Sequence, residues 1–109
     1  MKITKELSAG SIPVMVLSTI EKQDLYGYMI VKELKLRSQD VFVLKEGTLY
    51  PILHSLEKEG YAESYWNVMD GRKRKYYHIT KKGMRYLANK KEEFAEFSAT
   101  VTRVLNYAL

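Results

Sequence analysis

The sequence predicts a mainly α-helical domain with one small β-hairpin, an α+β fold in which the hairpin follows a helix. Three observations support this class. Apolar residues recur at helical spacing through residues 46–60, two strand-like segments joined by a tight-turn dipeptide follow, and a long helical pattern begins after residue 80. The length of 109 residues fits one domain.

Residues 46–60 form the helix around which the domain is organised. Four apolar side chains recur at i, i+3, i+4 and i+7 and predict a buried face: Leu49, Ile52, Leu53 and Leu56. Because a proline is tolerated only in the first turn of a helix, Pro51 places the start near residues 45–48, and Gly60 suits a left-handed C-terminal cap. The other face presents groups that a partner can read: Thr48, Tyr50, Pro51, His54, Ser55 and Lys58. The alternative is an ordinary amphipathic surface helix.

A β-hairpin is predicted directly after this helix. Residues 61–68 and 73–80 are rich in aromatic and β-branched residues, and Asp70-Gly71 between them favours a tight turn. A helix followed by a hairpin is the order of a winged helix. Trp66 is expected to lie in the core rather than at a ligand site.

The hairpin also carries the charge of the protein. The formal net charge is +5, and residues 61–85 alone hold seven basic and two acidic groups. Four of these cations are consecutive and are the kind of cluster that a phosphate backbone attracts: Arg72, Lys73, Arg74 and Lys75. The alternative is a solvated turn whose charge protects a strand edge.

The first 45 residues predict two further helices and a short strand. Ser11 is expected to cap a nearly all-apolar helix that runs to Ile20 and is buried. Asp24 is expected to cap a second helix that contains Gly27, where a close helix contact would offset the cost of glycine. Residues 41–43 are expected to add a third strand to the hairpin. Residues 1–10 are polar and are expected to form a short arm or a first turn, to which no function is assigned.

The last predicted helix is longer than the domain requires. Thr80 is expected to cap about 25 residues whose apolar positions are spaced alternately by three and four, a pattern typical of helix pairing. We therefore expect a winged helix-turn-helix domain in residues 1–80 and a dimerisation helix in residues 81–109. The dimerisation residues are expected to be Met84, Leu87, Phe94, Phe97, Val101, Val104 and Leu105. The alternative is a helix that folds back on its own core.

Several classes of protein are excluded or disfavoured. Because cysteine is absent, disulfides, thiolate catalysis and cysteine-ligated metals are excluded. No apolar run is long enough to span a membrane, and the N-terminus lacks the apolar core of a signal peptide, so a cytoplasmic protein is expected. The two histidines have no partners at metal-ligand spacing, and no phosphate-loop, dinucleotide-binding or serine-nucleophile motif occurs. We therefore expect no enzyme activity, no metal and no cofactor.

The motifs together closely resemble the PadR family of bacterial transcriptional regulators, in its small subfamily with a single C-terminal dimerisation helix. The resemblance rests on Tyr26-Gly27-Tyr28, residues 47–51, Leu53 and residues 56–60, residues 72–77, and Thr80-Lys81-Lys82-Gly83, and it covers residues 10–105. Against the family pattern, Ser55 stands where arginine is common, and Lys45-Glu46 replaces a serine-containing helix entry.

The resemblance implies a homodimer that represses transcription and releases double-stranded operator DNA when a small hydrophobic or aromatic effector binds. Some small members hold a flat hydrophobic compound at the dimer interface, on a tryptophan of the last helix, where this chain has Phe94. The expected effector-lining residues are Met15, Phe94 and Phe97. The competing hypothesis is a winged-helix module whose basic hairpin binds an acidic protein; steep salt dependence and a two-fold binding site would favour DNA.

Overall fold

Four helices and a three-stranded antiparallel sheet make up residues 10–108, the part of the chain that the computed structural model describes. Most of the predicted N-terminal arm therefore lies outside the described residues. In chain order the elements are α1 (Ser11–Thr19), β1 (Leu25–Tyr26), α2 (Gly27–Arg37), α3 (Glu46–Lys58), β2 (Ala62–Met69), β3 (Arg72–Ile79) and α4 (Lys81–Leu105). The predicted α+β class is confirmed.

The core lies where α1, α2 and α3 meet the base of the hairpin and the start of α4. Each element contributes its apolar face, as the helical spacing predicts. The fully buried large side chains include Leu17, Ile20, Ile30, Leu49, Leu53 and Leu87. The predicted buried face of α3 is confirmed at Leu49, Leu53 and Leu56, whereas Ile52 is only half-buried.

The hairpin forms with the predicted turn. Met69 pairs with Arg72, so Asp70 and Gly71 alone make the connection. Their φ angles are +54° and +74°, the pair of left-handed conformations that a type I′ turn requires. We call β2, β3 and this turn the wing.

The prediction of the third strand was wrong in its location. β1 (Leu25–Tyr26) pairs with Tyr77 and Tyr76, which gives the strand order β1-β3-β2. Residues 41–43 form no strand. Phe42 does pack against the core while its neighbours are exposed, but its backbone N–H is bonded to Ser38 Oγ at 2.9 Å rather than to a strand.

The expected caps of α1 and α2 also differ from the structure. Ser11 is the first helical residue and Gly10, with φ +80°, occupies the cap position. α2 begins at Gly27 itself, and Asp24 lies in the preceding loop instead of capping the helix. Gly27 is therefore a helix start, and the predicted close contact over it is with Tyr50 of α3.

Hydrogen bonds and ring stacking hold the start of α4 against the segment that links α3 to the wing. Thr80 caps α4 as predicted, because its Oγ1 accepts the Gly83 N–H at 2.9 Å while donating to the Gly60 carbonyl at 2.6 Å. The Thr80 N–H is bonded to the Tyr61 carbonyl at 3.1 Å, and the Tyr61 and Tyr86 rings stack with centroids 4.0 Å apart. Gly60 has φ +80° and closes α3 as expected.

The remainder of α4 extends past the domain. Lys91 still binds Glu21 near the end of α1 at 3.0 Å, but every side chain in residues 91–108 is exposed. The protein consequently measures 64 × 30 × 21 Å. Within the described residues, no helix combines the length and the apolar character needed to cross a membrane.

Candidate nucleic-acid interface

The outer face of α3 presents every side chain that the sequence predicted to be readable. Thr48, Pro51, His54, Ser55 and Lys58 are exposed, and Tyr50 is 47% exposed. They project away from the buried leucines. The helix begins at Glu46, within the predicted range, but Pro51 is its sixth residue and lies inside the helix rather than in the expected first turn.

Tyr50 is held in place by its contact with α2. A Cβ atom built on Gly27 would lie 3.0 Å from the Tyr50 hydroxyl oxygen and 3.4 Å from two of its ring carbons. Gly27 therefore leaves just enough room for the ring to rest on the start of α2. The contact with α2 restricts the ring, which lowers the conformational entropy that the side chain loses when it binds a partner.

The four wing cations divide between the two faces of β3. Successive side chains of a strand point to opposite faces, so Lys73 and Lys75 share one face with Trp66 and Val68 of β2, whereas Arg72 and Arg74 lie on the other. The Arg74 guanidinium stacks 4.4 Å from the centroid of the Tyr26 ring. The sequence predicts one cluster of four cations, whereas the strand divides them into two pairs on opposite faces.

A cleft of about 600 Å³ separates the wing from the starts of α2 and α3. The wing contributes Trp66, Tyr77 and the four cations, while Tyr28, Glu46 and Tyr50 lie on the helical side. The cleft follows β3 beyond the two residues that pair with β1, where the strand edge is open. Of the residues that line it, four are cationic at neutral pH and Glu46 is the one carboxylate, so the cleft attracts anions.

Asp24 ties the loop before β1 to both strands of the wing. One carboxylate oxygen accepts the Tyr65 hydroxyl, and the other lies 2.8 Å from His78 Nδ1. Burial pushes the pKa of Asp24 upward, but the hydrogen bonds of Tyr65 and His78 outweigh it, so this pKa is lowered. The hydrogen bond to Asp24 in turn raises the pKa of Tyr65 to about 12. Asp24 therefore links this loop to both strands of the wing.

A second concave surface of about 880 Å³ lies between α1 and α4. It is lined mainly by apolar side chains: Val14, Met15, Phe42, Leu87, Phe94 and Phe97. The three residues predicted to line an effector site, Met15, Phe94 and Phe97, are thus brought together. We call this surface the α1–α4 groove.

Six of the seven predicted dimerisation residues are exposed on α4: Met84, Phe94, Phe97, Val101, Val104 and Leu105. Leu87 is the exception. It is only 1% exposed and belongs to the core of its own subunit, so the expectation that it pairs with another copy was wrong. The helical spacing could not distinguish Leu87 from Phe94, because both positions continue one stripe and only their depth in the fold differs.

The prediction that Trp66 lies in the core was also wrong, since its side chain is 61% exposed. Tyr28, which is 57% exposed at the cleft, was not assigned to the interface at all. A signal for Trp66 existed in the length of the strands. Eight residues per strand extend about 26 Å, so side chains near the turn reach beyond a core of this size.

Among residues 10–108 there is no group of three histidine, aspartate or glutamate side chains that could hold a metal ion. His78 interacts with Asp24 alone, and His54 is exposed on α3.

Comparison with known proteins identifies the family. The model of the PadR-like family of transcriptional regulators matches residues 16–89. A transcriptional regulator of Clostridium thermocellum has a similar structure, with a TM-score of 0.84 and 33% identity over 93% of this chain and 96% of that chain. A PadR-family regulator of Eggerthella lenta gives a TM-score of 0.82 and 30% identity, covering 94% and 88% of the two chains.

Sequence relatives agree with the structural ones. An uncharacterised protein of Lysinibacillus sphaericus is 39% identical over 86% of this chain and 87% of its own length. A transcriptional regulator of Mycobacterium tuberculosis is 29% identical over 89% of this chain and 88% of its own. Those of these proteins whose function is named are regulators of transcription, not enzymes. The family model matches more than half of the chain. The protein therefore belongs to the PadR-like family of transcriptional regulators.

Proposed function

We propose that the protein binds double-stranded DNA in a sequence-specific manner as a homodimer and represses transcription from a two-fold symmetric operator. One observation carries the proposal: the N-terminal end of α3, at Glu46 and Tyr50, lines the same cleft as the cationic wing, so a duplex that contacts the exposed face of α3 can also contact the wing. Membership of a family of transcriptional regulators supports it. A protein that binds operator DNA acts in the cytoplasm, and this location is part of the proposal.

In this proposal α3 enters the major groove with its N-terminal half. Thr48, Tyr50 and Pro51 would face base edges or the adjoining sugars, and His54 and Ser55 would lie one turn further along the groove. Lys58 would contact a phosphate. Glu46 would repel a phosphate close to it, which favours backbone contacts on the wing side of the cleft.

The wing would supply affinity without reading sequence. Lys73 and Lys75 are on the face shared with Trp66, and Lys75 lies 5.8 Å from the ring centroid of Tyr77, so its position is supported. Arg72 and Arg74 would meet a different part of the backbone because they project from the opposite face. Each contact with a phosphate releases counterions and therefore contributes to the salt dependence of binding.

Dimerisation would bury the apolar side of α4. Phe94 is 63% exposed, Phe97 67% and Leu105 76%, and Phe94 and Phe97 also line the apolar α1–α4 groove. A second copy presents the same surface, so a two-fold interface that pairs them removes both from water. The two α3 helices could then reach successive major grooves about 34 Å apart.

The effector response would use the same interface. Met15, Phe94 and Phe97 line the α1–α4 groove, and a small hydrophobic or aromatic compound held there would contact both subunits. Such a compound would release DNA if it bound more tightly to a dimer whose α3 helices have the wrong spacing. A hydrophobic compound that binds at saturation without shifting DNA affinity would contradict this part of the proposal.

The deciding experiment is selection of the purified protein on a random duplex library at about 0.15 M salt, followed by sequencing of the bound pool. Enrichment of an inverted repeat with centres about one helical turn apart is expected. Absence of enrichment would contradict sequence-specific binding and would favour the competing hypothesis of an acidic protein partner.

Variants then separate affinity from specificity. Lys75→Ala should weaken binding to every duplex and reduce the slope of log affinity against log salt by about one. His54→Ala should instead change the preferred sequence. An unchanged salt slope would remove Lys75 from the interface, and uniform weakening would make His54 a contact to the backbone.

A further inference from the structure

Trp66 is the one tryptophan of the chain, and its exposure is unexpected. The indole is 61% exposed on the middle of the wing, and exposure of so large an apolar surface to water is unfavourable. The Lys73 ammonium lies 5.3 Å from its ring centroid. A single exposed apolar residue is common on protein surfaces and needs no function. The residues around Trp66, however, indicate that it contacts a ligand.

Trp66 lines the cleft from the face of the wing that it shares with Lys73 and Lys75, while Arg72 and Arg74 line the cleft from the other face. Tyr28 and Tyr50 line the helical side of the same cleft, and both are about half exposed. The cleft thus has aromatic rings on both walls and cationic groups on the wing side. Its occupant should offer a negatively charged group beside an uncharged surface, which describes the sugar and phosphate of a nucleic-acid strand.

We propose that the cleft holds the sugar–phosphate strand that joins the major groove entered by α3 to the minor groove beneath the wing, with the Trp66 indole packed on a deoxyribose of that strand. This inference rests on the proposed function and adds Trp66 and Tyr28 to the contacts with DNA. The ammonium groups of Lys73 and Lys75 bind the adjacent phosphates, and the Tyr28 hydroxyl donates a hydrogen bond to one of them.

A sugar, rather than a base, is the partner that suits Trp66. In an intact duplex the faces of the bases are stacked on one another, so the deoxyribose is the uncharged surface that the backbone presents to a side chain. Every nucleotide carries the same sugar. Trp66 should therefore raise the affinity for all duplexes equally and should leave the sequence preference to α3.

The fluorescence of the wild-type protein tests this directly, since all tryptophan emission comes from Trp66. Binding of a labelled duplex is followed by its anisotropy, and access to the indole by acrylamide quenching in the same samples. We expect the quenching constant to fall by about half or more when the duplex is saturated, because the bound strand covers the exposed ring. A bound duplex that leaves the constant unchanged would overturn the inference while the proposed function stands. A protein that binds no duplex would overturn both.

Substitutions provide the second readout. Trp66→Ala should weaken binding to every duplex by about tenfold, as expected for the loss of one packed indole face. Trp66→Phe should restore most of the affinity. The salt slope should stay unchanged, since the indole neutralises no phosphate. The matched control is Met69→Ala, an exposed apolar residue on the opposite face of β2, which should change affinity by less than about twofold.

Three further results would overturn the inference. Equal affinity of Trp66→Ala and wild type would show that the indole makes no contact. A salt slope of Trp66→Ala lowered by about one would mean that Trp66 acts only by positioning Lys73. In the wild-type protein, an equal fall in the acrylamide quenching constant with a free nucleoside monophosphate, at the concentration at which the duplex acts, would assign the cleft to a small anion instead.

Discussion

Gly83 should be among the least replaceable residues of the fold, although it lies inside a helix, where alanine is ordinarily preferred. It is buried in the first turn of α4, against the segment that links α3 to β2. A Cβ atom built on Gly83 would overlap the Tyr61 carbonyl oxygen and would lie 2.9 Å from Ile79 Cγ1. The obstacle is backbone, which cannot rotate away as a side chain can.

The magnitude follows from two opposing effects. Alanine at a helical position would contribute about 0.5–1 kcal/mol relative to glycine. Relief of the overlap requires α4 to move away from Tyr61, which breaks the 3.1 Å hydrogen bond from the Thr80 N–H and loosens the packing on Ile79. Overpacking of this kind costs about 1–3 kcal/mol, and the lost hydrogen bond about 1 kcal/mol more. Gly83→Ala should therefore lower the free energy of unfolding by about 2–3 kcal/mol.

Thermal unfolding followed by circular dichroism, at one fixed protein concentration, measures this effect. For a domain of about 100 residues we expect the Tm of Gly83→Ala to fall by about 10–20 °C. Gly47→Ala is the matched control, because a Cβ atom there would meet nothing within 4 Å and the residue lies in the first turn of α3. Its Tm should stay constant or rise. A Gly83→Ala protein as stable as wild type would refute the reasoning from the overlap with Tyr61.

Three further predictions concern the cap, the core and the wing. Thr80→Ala should lower the free energy of unfolding by about 1–2 kcal/mol in chemical denaturation, since Thr80 Oγ1 is hydrogen-bonded to both Gly83 and Gly60. A smaller effect than that of replacing an exposed surface threonine would contradict its role as a cap. Leu87→Ala should cost about 2–5 kcal/mol, whereas Phe97→Ala should leave the subunit folded and weaken the dimer in sedimentation analysis. The pKa of Tyr65 is raised to about 12, so the contribution of Tyr65 to stability is complete below pH 10 and is lost as pH rises through 12. An ultraviolet titration of wild type minus Tyr65→Phe should show a midpoint near this pKa, and Asp24→Asn should lower the midpoint.

Most of the fold was predictable from the sequence because local chemistry determines it. Asp70-Gly71 can adopt the two left-handed conformations of a type I′ turn, so the hairpin register follows from two residues. The bounds of α4 were predicted because Thr80 supplies a cap and the helical spacing continues for 25 residues. The exposed face of α3 followed from the position of its leucines.

The errors concern features that depend on contacts distant in sequence. A strand of two residues has no periodicity, so β1 could be recognised only by its pairing of Leu25 with Tyr77. Phe42 is half-buried between the exposed Val41 and Val43, an alternation typical of a strand, but these residues pair with no strand of the sheet. Asp24 resembled a helix cap and instead binds Tyr65 and His78, which are 41 and 54 residues away.

Local sequence patterns are enough to predict which segments are helical, where the hairpin turns, which side of α3 is polar and where the positive charge is concentrated. Which apolar residues are covered depends on how these elements pack. Leu87 and Phe94 continue one stripe of α4, but the domain ends between them, so one is buried and the other faces outward. Trp66 is exposed for the same physical reason: the wing extends past the core, and burial depends on what surrounds a residue in space rather than on its pattern in the chain.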